Sequence, residues 1–128
     1  MNVTKLIKPP HLTESIHTVE PIQNLKELLH HSCSNYSDHV AFRYKEKVSG
    51  TMVSKTYADF QQDVNALGTA LLEQNFKNER IMVISSNRYE WCITYLATVN
   101  GVGTIIPIDR ELPPDEITTL VNKSEPNV

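Results

Sequence analysis

Residues 81–109 read IMVISSNRYEWCITYLATVNGVGTIIPID. Two short apolar runs, residues 80–85 and 104–108, flank an amphipathic stretch, with a polar turn on one side and paired glycines on the other. Apolar runs without alternation suit strands covered on both faces. Two such strands joined through a helix make a parallel crossover, because parallel neighbours cannot be linked by a tight turn. No other segment restricts the architecture as strongly. The expected fold is α/β, a mostly parallel sheet with crossover helices.

The flanking segments extend this pattern. Asn24 can cap a helix with Leu25, Leu28, Leu29 and Cys33 on one face. Val40, Phe42 and Tyr44 then alternate with Ala41, Arg43 and Lys45, as in a half-exposed strand. Ser49-Gly50 turns the chain, and residues 52–56 return as an antiparallel partner, giving a short hairpin over residues 40–56. Thr56 and Asp59 fit a capping box. Behind them Phe60, Val64, Leu67 and Leu71 recur at helical spacing.

Asn87, with Glu90 three residues on, can cap the helix inside the crossover. Trp91, Cys92, Tyr95, Leu96 and Val99 are expected to form its inward face, and Gly101 or Gly103 to end it. Pro113-Pro114 opens a further helix lined by Ile117, Leu120 and Val121. Asn127-Val128 resembles the first residues of another strand, so the sheet pattern is still running where the sequence stops.

Two segments carry a resemblance to a known family. Lys55-Thr56-Tyr57-Ala58-Asp59-Phe60 resembles one early signature of the AMP-forming, adenylate-forming ligases, the superfamily of acyl-CoA synthetases, peptide-synthetase adenylation domains and luciferase. The stretch Asn100-Gly101-Val102-Gly103-Thr104-Ile105-Ile106-Pro107-Ile108-Asp109 resembles a second signature. Asn87-Arg88-Tyr89-Glu90-Trp91 is most similar to the long-chain fatty acyl-CoA synthetase branch. The resemblance runs over residues 25–128. It implies an N-terminal α/β subdomain at residues 22–128, incomplete at its C-terminus, preceded by an extended arm at residues 1–21. The implied parent enzyme joins a fatty acid to AMP from ATP, with Mg2+, and passes the acyl group to CoA. The implied partners are the remainder of that ligase and its fatty acid substrate.

The parts that would perform this chemistry are not visible in these residues. A triphosphate needs a glycine- and hydroxyl-rich loop of backbone donors. The chain has 4 glycines, none in such a cluster. The expectation is an architectural piece that is inactive alone, with ATP, Mg2+ and CoA binding the parent enzyme. Ligands of open parallel sheets lie beyond the carboxyl ends of the strands, which singles out residues 85–88 and 109–112. By similarity to the family, the second loop could border the CoA channel, with Arg110 the candidate phosphate contact. The competing reading of Arg110 is a solvated charge beside Asp109 and Glu111.

Other constellations carry less. His30 and His31 point about 100° apart on a helix, so with Cys33 they make a poor metal set. Tyr57, Trp91 and Tyr95 read as core anchors rather than a stacking platform. Cys92 reads as a packing thiol, and no catalytic residue is assigned.

The 128 residues suit one domain, and 40% hydrophobic with 21% charged residues is ordinary for a globular chain. A formal charge of −3 offers no broad attraction to nucleic acid or anionic lipid. No apolar run reaches the roughly 20 residues that span a bilayer, and the N-terminus lacks a secretory pattern. Two cysteines, Cys33 and Cys92, suit free thiols in a reducing compartment. The expected location is cytoplasmic, with peripheral attachment at the inner membrane face left open.

Unpaired strand edges lead to an expectation of self-association. Two alternatives to the fatty acyl-CoA ligase stand beside it: a stand-alone, non-catalytic α/β interaction module, and a peptide-synthetase-type adenylation domain.

Overall fold

Asn24 begins the first helix as expected: its side-chain oxygen accepts from the Glu27 amide at 2.9 Å. The structure is a computed structural model and describes residues 20–128. Most of the proposed arm, residues 1–19, lies outside the described residues. Helix α1 spans Leu25–Asn35. Leu29 and Cys33 are buried, whereas Leu25 and Leu28 are each 42% exposed. The inward stripe is therefore narrower than the spacing suggested.

Strands β1 (Val40–Lys45) and β2 (Met52–Thr56) form the antiparallel hairpin. Gly50 supplies its turn with φ at 69°. The register slips between Val40 and Phe42, a bulge that breaks the expected alternation. Phe42 and Tyr44 still pack on the core, but Val40 turns outward. Thr56 then starts helix α2, Tyr57–Glu73, through the capping box. The Thr56 hydroxyl accepts from the Asp59 amide at 3.1 Å, and Asp59 Oδ2 accepts from the Thr56 amide at 2.9 Å.

Strands β3 (Arg80–Ile84) and β4 (Thr104–Ile108) run parallel, with Met82 opposite Ile106 and Val83 opposite Pro107. The helix between them is α3, Tyr89–Ala97. It ends in a widened turn over Thr98–Val102. There the Gly103 amide bonds to the Thr98 carbonyl at 3.0 Å, five residues back. Gly101 adopts φ 143°, open to glycine and costly for other residues. Gly103 is needed for space: a Cβ there would sit 2.1 Å from the Glu79 carbonyl. Helix α4, Pro114–Ser124, follows, and Glu125 closes it in the left-handed region at φ 44°.

The last residues join β3 on its other edge. The Met82 amide donates to Val128 O at 2.8 Å, and the Val128 amide to Arg80 O at 3.3 Å. These bonds set Val128 beside Ile81 in the parallel sense. Asn127-Val128 thus lies along β3, though it forms no strand of its own among the described residues.

The main core joins α1, α2, α3 and the hairpin: Leu29, Cys33, Phe60, Val64, Tyr89 and Ala97 are buried, with Phe42, Tyr44, Leu67 and Leu96 packed against them. The parallel strands depart from expectation. Ile81 is buried, but Ile84 is 43% exposed, so β3 is not covered on both faces among the described residues. No residue of α4 is fully buried.

Candidate functional site at the carboxyl ends of the parallel strands

Because Ile84 pairs with Ile108, the loops that follow β3 and β4 leave the same end of the sheet side by side. Adjacent strands lie about 4.8 Å apart, so residues 85–88 and 109–112 form one rim. Asp109 shapes the second loop: its Oδ1 accepts from the Glu111 amide at 2.9 Å, and the Leu112 amide approaches its carbonyl at 3.4 Å. Arg110 projects outward with its side chain 56% exposed, and its guanidinium donates to Glu111 at 3.3 Å. Arg88 pairs in the same way with Glu90 at 3.3 Å. Each arginine on the rim is thus matched by a nearby carboxylate, and exposed pairs of this kind hold weakly.

The expected cap on α3 is absent. Arg88, not Asn87, occupies the N-cap position and makes no side-chain cap bond, while Glu90 turns to Arg88. The helix starts one residue later than a cap at Asn87 would allow because Tyr89, its first residue, is driven into the core. That start also decides which face is inward. Counting from Tyr89, the stripe runs through Cys92, Ile93, Leu96 and Ala97, all in or against the core. Trp91 and Tyr95 fall on the other side. They stack on each other at 5.3 Å with planes 21° apart, half-buried and outside the core cluster. They are not the core anchors expected; Tyr89 takes that role.

Tyr89 also centres a polar network not evident from sequence spacing. Its ring contacts Phe42 at 5.0 Å, Tyr44 at 5.6 Å and Phe60 at 5.8 Å. Its hydroxyl donates to Asp63 Oδ2 at 2.8 Å, and Lys55 Nζ donates to the same oxygen at 2.9 Å. Lys55 also lies 5.5 Å above the Tyr89 ring, a cation–π distance. The Lys55 ammonium and then the Tyr89 hydroxyl hold the Asp63 carboxyl below its ordinary range. Burial first, then Asp63, pushes the Tyr89 phenol far above its ordinary range. No local spacing marks this network, because Asp63 and Tyr89 are 26 residues apart.

Two concavities flank this scaffold. One of about 430 Å3 opens between the hairpin and the start of α3, walled by Tyr44, Lys45, Lys47, Asn87, Arg88 and Tyr89. It borders the loop that leaves β3. The other, about 480 Å3, lies between α1 and α2 and includes Asn100 and Val102, next to the amino end of β4 and away from the rim. The Asn100 Oδ1 atom is buried there without a hydrogen-bond partner among the described residues.

The residues do not fit a triphosphate. Gly50 lies in the hairpin turn, Gly68 in α2, and Gly101 and Gly103 at the entry to β4, so no cluster of backbone donors forms at the rim. Among the described residues no three His, Cys, Asp or Glu side chains gather as metal ligands. His31 instead contacts Glu20 at 3.0 Å, and Cys33 is buried. Burial raises the Cys92 thiol, which suits an inert packing role. No helix of the described residues is long and apolar enough to cross a membrane.

Comparison with known proteins places this geometry in context. The AMP-binding enzyme family matches residues 29–128. A 4-hydroxybutyrate–CoA ligase from Metallosphaera sedula is 30% identical over 71 residues, covering 55% of this chain and 13% of that relative. The crystal structure of IdnL1 superposes with a TM-score of 0.73 at 16% identity, over 84% of this chain and 22% of that one. A luciferase-like enzyme from the mealworm Zophobas morio gives 0.65 at 17% identity, over 81% of this chain and 24% of that one. The isolated N-terminal subdomain of Klebsiella oxytoca NpsA gives 0.66 at 16% identity, over 82% and 26%. The structural likenesses show the fold, and the chain spans about a quarter of those proteins. With the family match covering most of its length, and with the parallel crossover in place, this chain belongs to the AMP-binding enzyme family, the adenylate-forming superfamily.

Proposed function

We propose that residues 22–128 form the N-terminal subdomain of an ATP-dependent fatty acyl-CoA ligase that acts on long-chain acids through an acyl-adenylate. The observation that carries this reading is the family match over residues 29–128, which includes the whole crossover and both rim loops. The similarity to a CoA ligase supports a thiol acceptor, and the Asn87–Trp91 segment supports the fatty acid branch. In this reading the enzyme works in the cytoplasm with Mg2+ and CoA. The described chain supplies support: β3 and β4 carry the rim loops, and α2 with α3 holds them against the aromatic core. Arg110 exchanges Glu111 for a CoA phosphate, since a guanidinium matches phosphate oxygens with two parallel donors.

The test is pyrophosphate release and thioester formation by a ligase that contains this chain. A long-chain fatty acid, a short hydroxy acid and an amino acid are offered in turn with ATP and CoA. The fatty acid is expected to turn over, and the 128-residue chain alone to release no pyrophosphate. Turnover of the amino acid alone would favour the peptide-synthetase type. No turnover of any acid would favour a non-catalytic interaction module. Arg110→Ala is expected to raise the KM for CoA about tenfold, the cost of one charge-assisted contact, and to leave adenylate formation unchanged.

A further inference from the structure

We propose that Asp63 is a positioning residue for the 85–88 loop, acting through the Tyr89 hydroxyl. The loop enters α3 without a local anchor, because its N-cap residue Arg88 makes no side-chain cap bond. The next residue, Tyr89, is buried and tied to Asp63 at 2.8 Å. The aromatic cage of Phe42, Tyr44 and Phe60 restricts the ring, and one hydroxyl bond then selects its depth and angle. Asp63 is itself well placed to act as a reference point. It sits on α2, whose start is locked by the Thr56–Asp59 capping box. Its Oδ2 is also held from the hairpin side by Lys55 at 2.9 Å. A chain of fixed contacts therefore runs from the capping box through α2 and the phenol to the first residue of α3. The loop one residue upstream inherits that position.

The same loop walls the 430 Å3 concavity beside the rim, so its position sets the shape of that space. The role of the rim as a ligand border rests on the function proposed above; the positioning itself does not.

The experiment follows amide hydrogen exchange in this chain without nucleotide, acid or thiol, so its outcome is separate from that of the ligase assay. Tyr89→Phe keeps the ring and removes the donor; Asp63→Ala removes the acceptor. Both are expected to speed exchange about tenfold at the Cys92 amide, which donates to the Arg88 carbonyl where the loop meets α3, the effect of losing one bond to a charged group. Exchange in the hairpin and the rest of α2 should stay close to native. The double variant should be no worse than Asp63→Ala alone, since that substitution already removes the bond that Tyr89→Phe deletes, along with the Lys55 contact. Asp63→Asn retains an acceptor for the phenol and should restore most of the protection. Unchanged exchange at the Cys92 amide, equal acceleration everywhere, or no rescue by asparagine would each overturn the proposal.

Discussion

On the hairpin side of the molecule, apolar and polar groups both find partners. Phe42, Phe60 and Tyr89 meet ring to ring, with Phe42 and Phe60 centroids 4.8 Å apart. The polar atoms among them, Asp63, Lys55 and the Tyr89 hydroxyl, satisfy one another. On the strand-pair side, β3 and β4 hold register, but Ile84 is exposed and α4 buries no residue completely. The strand pair is thus held by its backbone ladder and by packing on one face, that of Ile81. A hydrogen-bonded ladder needs only two neighbouring strands, whereas a core needs layers on both faces. The first region is closed within the described residues; the second is a surface on which further structure can be laid.

Mutations should expose that contrast. The largest effect is expected at the centre of the closed region. Phe60→Ala should cost about 3–5 kcal/mol in urea unfolding, whereas Leu120→Ala on α4 should cost about 1 kcal/mol. Equal losses would mean that the two regions are equally packed and would break the comparison. Gly103→Ala comes next, at about 1–3 kcal/mol, because a Cβ meets the Glu79 carbonyl and the backbone must move. Its thermal midpoint should fall although no side-chain contact is lost.

Thr56→Ala should cost about 1 kcal/mol by opening the capping box, and should loosen the start of α2 before the strand pair, as amide exchange can resolve. The smallest effect is electrostatic. The Thr56 amide and hydroxyl lower the Asp59 carboxyl, and Lys55 with Tyr89 lowers that of Asp63. Folded-state values below the unfolded ones mean that this stability is complete above the ordinary carboxylate range. It is lost as pH falls below about 4 and both groups protonate. Asp59→Asn and Asp63→Asn should flatten that acid limb in a pH series of unfolding midpoints, and unaltered limbs would remove both carboxylates from the account.

Much of the local structure was legible in the residues. The hairpin strands, the Asn24 cap, the Thr56–Asp59 box and the parallel pair all stand where spacing put them. Each depends on contacts between residues close in sequence, or on a hydrophobic period that one element displays by itself. The rim was legible for a similar reason: parallel strands joined by a crossover must deliver their following loops to one end. The Asn87 cap and the inward placement of Trp91 and Tyr95 were not, because a helix that could start at either of two residues presents a different face from each.

Sequence by itself determined the elements, their order and the side of the sheet where the two loops emerge. Tertiary structure alone decided that Tyr89 enters the core, that Asp63 and Lys55 meet its hydroxyl and ring, and that β3 keeps an open face. Those outcomes depend on which surfaces come together across the fold. Burial is a property of neighbours brought from distant positions, and no local period records which neighbours will arrive.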